Sequence, residues 1–363
     1  MSTAGRPVRI SAAVMTHPAR MDLALAIRRA CPELGIKVVV DPAPDGPPSA
    51  VRTGIRAWGA VADWATHHLV LEDDAVLHPA FTEQLNTAVS TGPEGALCLF
   101  TEWGSRTSYA LRLGACRGAR WAPVIDAYVP CLAICLPAEH ARALGGLAPD
   151  MTVPYDVLVH SYLRRVCVDA WVSIPNLADH GEVPSLVGNH AHGRRRSACF
   201  LPKRRPDAVT APADLTAEWR VPCFSWQRGF PWCYVPDPDV PDGWHSARMS
   251  RVLSGHGKDV AAALRAGRQA AVEHGIAGDI QPGLADGLWL TAFGLGVELR
   301  AATQTSFAAA GRESVLTRIV PRAALATMPN GALRTLVSAD KLRRNRGPLR
   351  NFVEEAVRQG AEE

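Results

Sequence analysis

Three carboxylates stand in an unbroken row at Glu72-Asp73-Asp74, directly after the apolar run Leu69-Val70-Leu71 and before Ala75-Val76-Leu77. Acids this close repel one another, and the arrangement is costly unless a cation is shared. A hard divalent ion suits it. Mg²⁺ or Mn²⁺ takes one or two protein carboxylates and completes its shell with water and substrate phosphate. The plain alternative is a solvated acidic turn or a helix cap, since Asp near a helix start is favourable. The buried strand ahead of the row favours the metal, because ligands of open α/β sheets bind beyond the carboxyl ends of strands.

The segment Leu71-Glu72-Asp73-Asp74-Ala75, downstream of a first strand that ends Met15-Thr16-His17-Pro18-Ala19-Arg20, resembles the GT-A glycosyltransferases. The likeness covers roughly residues 8–192. It implies an α/β fold with a Rossmann-like, mostly parallel sheet flanked by helices. It also implies transfer of a sugar from a nucleoside diphosphate donor, UDP by family frequency, with Mn²⁺ or Mg²⁺ on the diphosphate. By this resemblance Asp74 is the principal metal ligand, and Asp73 and Glu72 contact ribose, sugar or metal. Thr16, His17 and Arg20 line the nucleotide pocket, and Asp41, at the end of the second strand, meets the nucleoside. Arg52 and Arg56 lie one helical turn apart and can face a diphosphate or solvent; solvent is the preferred reading for Arg56.

The same resemblance suggests the proton acceptor and a further ligand. An inverting transfer needs a carboxylate that takes the acceptor's proton. Asp156, in Pro154-Tyr155-Asp156 ahead of Arg164 and Arg165, fits that place, with Asp150 in reserve. Its single acid departs from the paired acids of many relatives. The alternative role for Asp156 is stabilising the dipole of its helix. His180 follows the last strand and is the expected additional metal ligand, with His190 and His192 as rivals. A zinc site from the three histidines has no cysteine spacing behind it.

Hydrophobic periodicity supplies the elements that must hold these residues. Strands are expected at 8–14, 37–40, 68–71, 96–100, 131–136 and 168–174, and helices at 21–31, 50–66, 79–89, 137–144 and 154–166. Segments 108–113 and 124–128 read as an excursion from the sheet. Strand–helix alternation predicts a mostly parallel sheet covered on both faces. The character changes near residue 200. Residues 1–200 are expected to be the nucleotide-sugar-binding catalytic domain. Residues 201–363 are expected to hold a Pro/Trp-rich segment without clear periodicity, then helices at 260–273, 284–302, 314–327, 333–342 and 349–358. This second part suits acceptor binding or a homodimer contact.

The chain has 363 residues, 47% hydrophobic and 20% charged, with a formal net charge of +4. That composition argues against wholesale disorder and does not single out nucleic acid as partner. Nine cysteines without a CxxC pair fit a reducing cytoplasm. The apolar stretch 284–299 contains Asp286 and Glu298 and is short for a membrane span. Basic runs at 192–197, 203–205 and 341–346, with aromatics at 219–234, can bind single strands or sugars, or simply pack. Acceptors therefore range over a small molecule, a glycan, a peptide or modified DNA, the last as in phage-type DNA-modifying enzymes. A non-catalytic nucleic-acid-binding protein of this fold is the main non-enzymatic reading. Nucleotidyl transfer is disfavoured because the 16–20 loop contains no glycine.

Overall fold

The computed structural model of the chain describes residues 7–186, 188–203, 219–240, 243–303 and 318–362. It is α/β, and the chain divides into two compact units that interleave along the sequence. The first spans Met1–Thr101, Asp126–His190 and Phe200–Ala208; the second spans Glu102–Ile125, Ala191–Cys199 and Val209–Glu363. In place of one boundary near residue 200, the chain enters the second unit at Glu102, returns at Asp126, and leaves again at Ala191.

The elements follow in order: β1 (Ile10–Thr16), α1 (Met21–Ala30), β2 (Lys37–Val40), α2 (Val51–Trp58), β3 (His67–Glu72), β4 (Ala75–Leu77), α3 (Phe81–Thr91) and β5 (Ala96–Cys98). The second unit then takes α4 (Arg106–Arg117) and β6 (Trp121–Pro123). The first unit resumes with β7 (Ala133–Pro137), α5 (Ala138–Gly145), α6 (Tyr155–Arg165), β8 (Ala170–Ser173) and β9 (Ala178–His180).

Six strands of the first unit lie side by side in the order β2-β1-β3-β7-β5-β8. β1 is parallel to β2 and β3, and β5 is parallel to β8, while β7 runs antiparallel to both of its neighbours. The sheet is thus mostly parallel but mixed; apolar patterning marks β7 as a strand without giving its direction. Ala12, Val14, Leu69, Val70, Leu71, Ile134 and Leu136 are buried, as strands covered on both faces require. The helix expected over 50–66 stops at Trp58, and Gly59 follows as its cap. Residues beyond it turn back so that Thr66 N–H donates to Arg9 C=O at 2.8 Å.

His68 in β3 is fully buried between Ser11 Oγ, 2.8 Å from its Nδ1, and Ala57 C=O, 2.9 Å from its Nε2. A neutral ring satisfies both contacts, with Nε2–H donating and Nδ1 accepting. Burial lowers its pKa from 6.5 to about 4. The unfolded chain therefore binds a proton that the folded chain refuses. Stability is full above pH 6.5 and is lost as pH falls toward 4, by about 3 kcal/mol in all. Denaturant titrations at pH 7 and pH 4.5 are expected to show this loss, and a His68→Gln protein, though weaker at neutral pH, should lose less on acidification.

The second unit continues with the antiparallel sheet β10 (Val221–Ser225), β11 (Phe230–Pro236) and β12 (Trp244–Arg248). This corrects the expectation of an unpatterned segment. Pro222 and Pro231 sit within the paired strands and interrupt the alternation that marks a strand in sequence. The helices α7 (Met249–Gly255), α8 (Val260–Glu273), α9 (Pro282–Thr303), α10 (Ile319–Ala326), α11 (Met328–Leu333), α12 (Ala339–Arg344) and α13 (Arg346–Glu362) complete it. Of the helix expected over 333–342 only the part from Ala339 is helical, as the start of α12, where Ser338 caps through Lys341 N–H; Leu333 is the last residue of α11. The expected helix over 314–327 is seen from Ile319; residues 314–317 lie outside the described residues. α9 is mostly apolar and buried along most of its length, with Leu288, Trp289, Ala292 and Phe293 fully inside. Among the described residues no helix is long and apolar enough to cross a membrane.

Candidate functional site

Three neighbouring parallel strands deliver their carboxyl ends to one edge of the sheet. Thr16 pairs with Val40 and Met15 with Glu72, so Thr16, Asp41 and the acidic row emerge together. Asp41 N–H donates to Thr16 C=O at 2.8 Å, which fixes the start of the second loop against the first.

Asp73 is buried at the centre of this edge. Its Oδ2 accepts from Thr16 Oγ1 at 2.7 Å, and its Oδ1 lies 3.0 Å from Arg20 Nη1. Burial raises the Asp73 pKa, and the neighbouring charge of Asp74 adds to this against the pull of Thr16 and Arg20. Arg20 Nη1 also reaches Asp74 Oδ2 at 3.5 Å, and Arg20 Nη2 donates to Pro184 C=O.

Asp74 owes its position to a short hairpin-like pairing that sequence reasoning missed. β4 pairs antiparallel with β9, setting Ala75 opposite His180. Gly181 N–H donates to Asp74 C=O at 2.7 Å, and a Cβ on Gly181 would stand 2.9 Å from that oxygen, so only glycine allows the approach. Strands of three residues carry too little pattern to be read in sequence. The pairing brings His180 Nε2 to 3.6 Å from Asp74 Oδ2, while His180 Nδ1 faces Gly181 C=O at 2.7 Å. The Asp74 side chain is only 9% exposed, and its Oδ1 is buried with no hydrogen-bond partner.

Asp41, His17 and Arg52 form a second group on the same edge. Arg52 donates to both oxygens of Asp41, at 2.5 and 2.7 Å, and to the carbonyls of Pro47 and Ala43. Its guanidinium is thereby turned to the 41–49 loop, whereas Arg56 is exposed. Burial pushes the Asp41 carboxyl up, but the Arg52 and Ala43 hydrogen bonds outweigh it and hold the group below its usual range. His17 accepts from Ala19 N–H through Nδ1 and meets Pro44 C=O through Nε2 at 3.2 Å, so its ring closes this loop over the first.

Asp156 lies half-buried in the first turn of α6, with Oδ1 accepting from Val157 N–H at 2.9 Å. The helix is seated by Tyr155, whose ring leaves no room for a side chain at Gly54 of α2: a Cβ there would lie 2.3 Å from the ring. Burial first, and then the carboxylates of Asp156 and Glu72, push the Cys131 thiol well above its usual range. Asp150 is exposed and occupied by a local turn to Thr152.

Of the rival histidines, His192 is in the second unit, its ring 5.7 Å from that of Trp226. The side chain of His190 lies outside the described residues, as do Arg204 and Arg205 of the basic run. Among the described residues no group of three His, Cys, Asp or Glu is disposed to hold a metal ion by itself. Two protein ligands suffice where phosphate and water complete the shell. The buried, unpartnered Asp74 Oδ1 fits such a role. In the second unit, Arg106, Arg117 and Arg334 lie over the rings of Tyr234, Trp219 and Trp226, so these cations and aromatics engage one another. Lys341 and Arg344 lie near Asp279, and Arg343 pairs with Asp340. The chain matches no protein-family model and no curated protein.

Proposed function

We propose that this chain is a divalent-metal-dependent glycosyltransferase that moves a sugar from a nucleoside diphosphate, UDP first among donors, to an acceptor hydroxyl. The observation that carries the reading is Asp74, a buried carboxylate at the carboxyl edge of the sheet with one oxygen unpartnered and only long contacts to the other. Natural interiors seldom keep such a group unless it meets something absent from the bare protein. Asp74 and His180 would hold Mn²⁺ or Mg²⁺. When bound, the ion supplies charge neutralisation on the leaving diphosphate. Thr16, His17, Arg20 and Asp41 line the nucleotide side, and Arg52 fixes Asp41. Asp73 and Glu72 take ribose or sugar hydroxyls. Asp156 accepts the proton of the attacking hydroxyl, which gives inversion. The acceptor is a small molecule, a glycan, a peptide or modified DNA. Nine free cysteines, all but Cys167 buried, support a cytoplasmic setting.

A thermal-shift panel of nucleoside diphosphates and their sugars, with Mn²⁺ or with EDTA, tests the reading. One nucleotide base is expected to raise the melting temperature by about 5 °C at roughly a hundredfold excess over Kd, in Mn²⁺ only. The proposal fails if no nucleotide shifts melting in Mn²⁺.

A further inference from the structure

We infer that Arg20 is a resident counter-ion that keeps the Asp73–Asp74 pair closed to metal alone and yields it when a nucleoside diphosphate arrives. This rests on the reading of that pair as a metal and nucleotide site. Arg20 Nη1 lies 3.0 Å from Asp73 Oδ1 and 3.5 Å from Asp74 Oδ2, and the Arg20 side chain is 13% exposed. Its second terminal nitrogen donates to Pro184 C=O in the loop after His180. The two carboxylates carry two negative charges and Arg20 returns one. A divalent ion arriving alone meets half the attraction the acids could offer, with a guanidinium repelling it at short range where water screens poorly.

A nucleoside diphosphate changes the balance. Its phosphate oxygens match the planar fork of a guanidinium better than one carboxylate oxygen from each of two residues. Arg20, drawn to phosphate, frees Asp74 Oδ2, and Asp74 Oδ1 is already unpartnered. Both oxygens of Asp74 then face a cation. Metal and nucleotide consequently strengthen each other's binding by the same factor. The exchange also releases the hold on Pro184, which links the loop bearing His180 to occupancy of the site.

The test is Mn²⁺ binding without nucleotide, read from the electron paramagnetic resonance of free Mn²⁺. Wild type, Arg20→Gln and Arg20→Lys are compared, with circular dichroism as the fold control. Arg20→Gln is expected to bind Mn²⁺ about tenfold more tightly than wild type. Arg20→Lys keeps the charge but not the fork, and is expected in between. Should the glutamine variant not fold, tightening in the lysine variant decides. If Mn²⁺ and a nucleotide together stabilise wild type while neither variant binds Mn²⁺ more tightly, the counter-ion role is overturned and the site reading survives. If no protein binds Mn²⁺ and no nucleotide stabilises wild type in Mn²⁺, the site reading falls and takes this inference with it.

Discussion

Asp74→Asn is expected to abolish metal-dependent nucleotide binding and to cut sugar transfer by about a thousandfold or more, while leaving the melting temperature of the ligand-free protein unchanged or higher. Loss of a metal's charge stabilisation removes several kcal/mol from a transition state, and each 1.36 kcal/mol is about tenfold in rate. Stability should not follow, because the carboxylate contributes little to the folded chain. Its contacts with Arg20 and His180 are 3.5 and 3.6 Å long, and its other oxygen has none. Its charge also raises the pKa of Asp73, so neutralising it relieves a repulsion. Such a separation of function from stability marks a residue kept for a ligand. Transfer measured with the donor from the thermal panel, beside differential scanning calorimetry, checks both halves. A strongly destabilised Asp74→Asn protein with normal transfer would make Asp74 a structural acid. Asp156→Asn serves as contrast: nucleotide and metal binding should persist while turnover falls by about a hundredfold or more. Full turnover in that variant would remove the basis for inversion.

The parts of this fold legible in sequence were those with a long, regular signal. β1, β2, β3, α1, α6, α8 and α13 fall where alternation or helical spacing puts them, because each buries a continuous face. The β4–β9 pairing that sets His180 beside Asp74 was not legible, since it joins residues over a hundred positions apart through three-residue strands. Nor was the fate of Arg52. In sequence it is one of two helix arginines that can face a diphosphate or solvent. In space it is the one that reaches Asp41, and a bidentate ion pair closing a proline-rich loop depends on chain reversal rather than on local spacing. The interleaving of the two units was legible only as an excursion from the sheet at 108–113 and 124–128: composition shifts near residue 200, whereas α4 and β6 join the second unit through residues far along the chain. The acidic row itself was fully legible as a cluster. Its chemistry was not, because a solvated turn and a buried carboxylate with an open oxygen have the same letters.

Arg112→Met is expected to lower the stability of the second unit by about 2–4 kcal/mol, a large effect for a single side chain. Arg112 lies in α4 with no exposed surface. Its guanidinium donates to Ala324 C=O at 2.9 Å, Trp103 C=O at 2.9 Å, Ser108 Oγ at 2.7 Å and Thr327 Oγ1 at 3.1 Å. Burial lowers its pKa to about 10, so the group is still charged at neutral pH, stabilised by carbonyl and hydroxyl dipoles. A buried ion pair can often be replaced by apolar residues at little cost, because both partners leave together. Here the partners stay behind. Two of the acceptors are main-chain carbonyls, at Trp103 and Ala324, which no substitution removes; each keeps one hydroxyl donor, Ser108 Oγ at 3.0 Å and Thr327 Oγ1 at 2.9 Å, but loses its charged one, and a hydrogen bond to a charged group contributes about 1.5–3 kcal/mol. Arg112→Lys should also fail, since one ammonium cannot reach four acceptors spread over α4, the residues before it, and the α10–α11 junction. Guanidinium chloride unfolding followed by far-UV circular dichroism should show the midpoint falling sharply for both variants. An unchanged midpoint in Arg112→Met would mean that water or rotated hydroxyls can satisfy the carbonyls, and that the α4–α10 contact is held by its apolar surface alone.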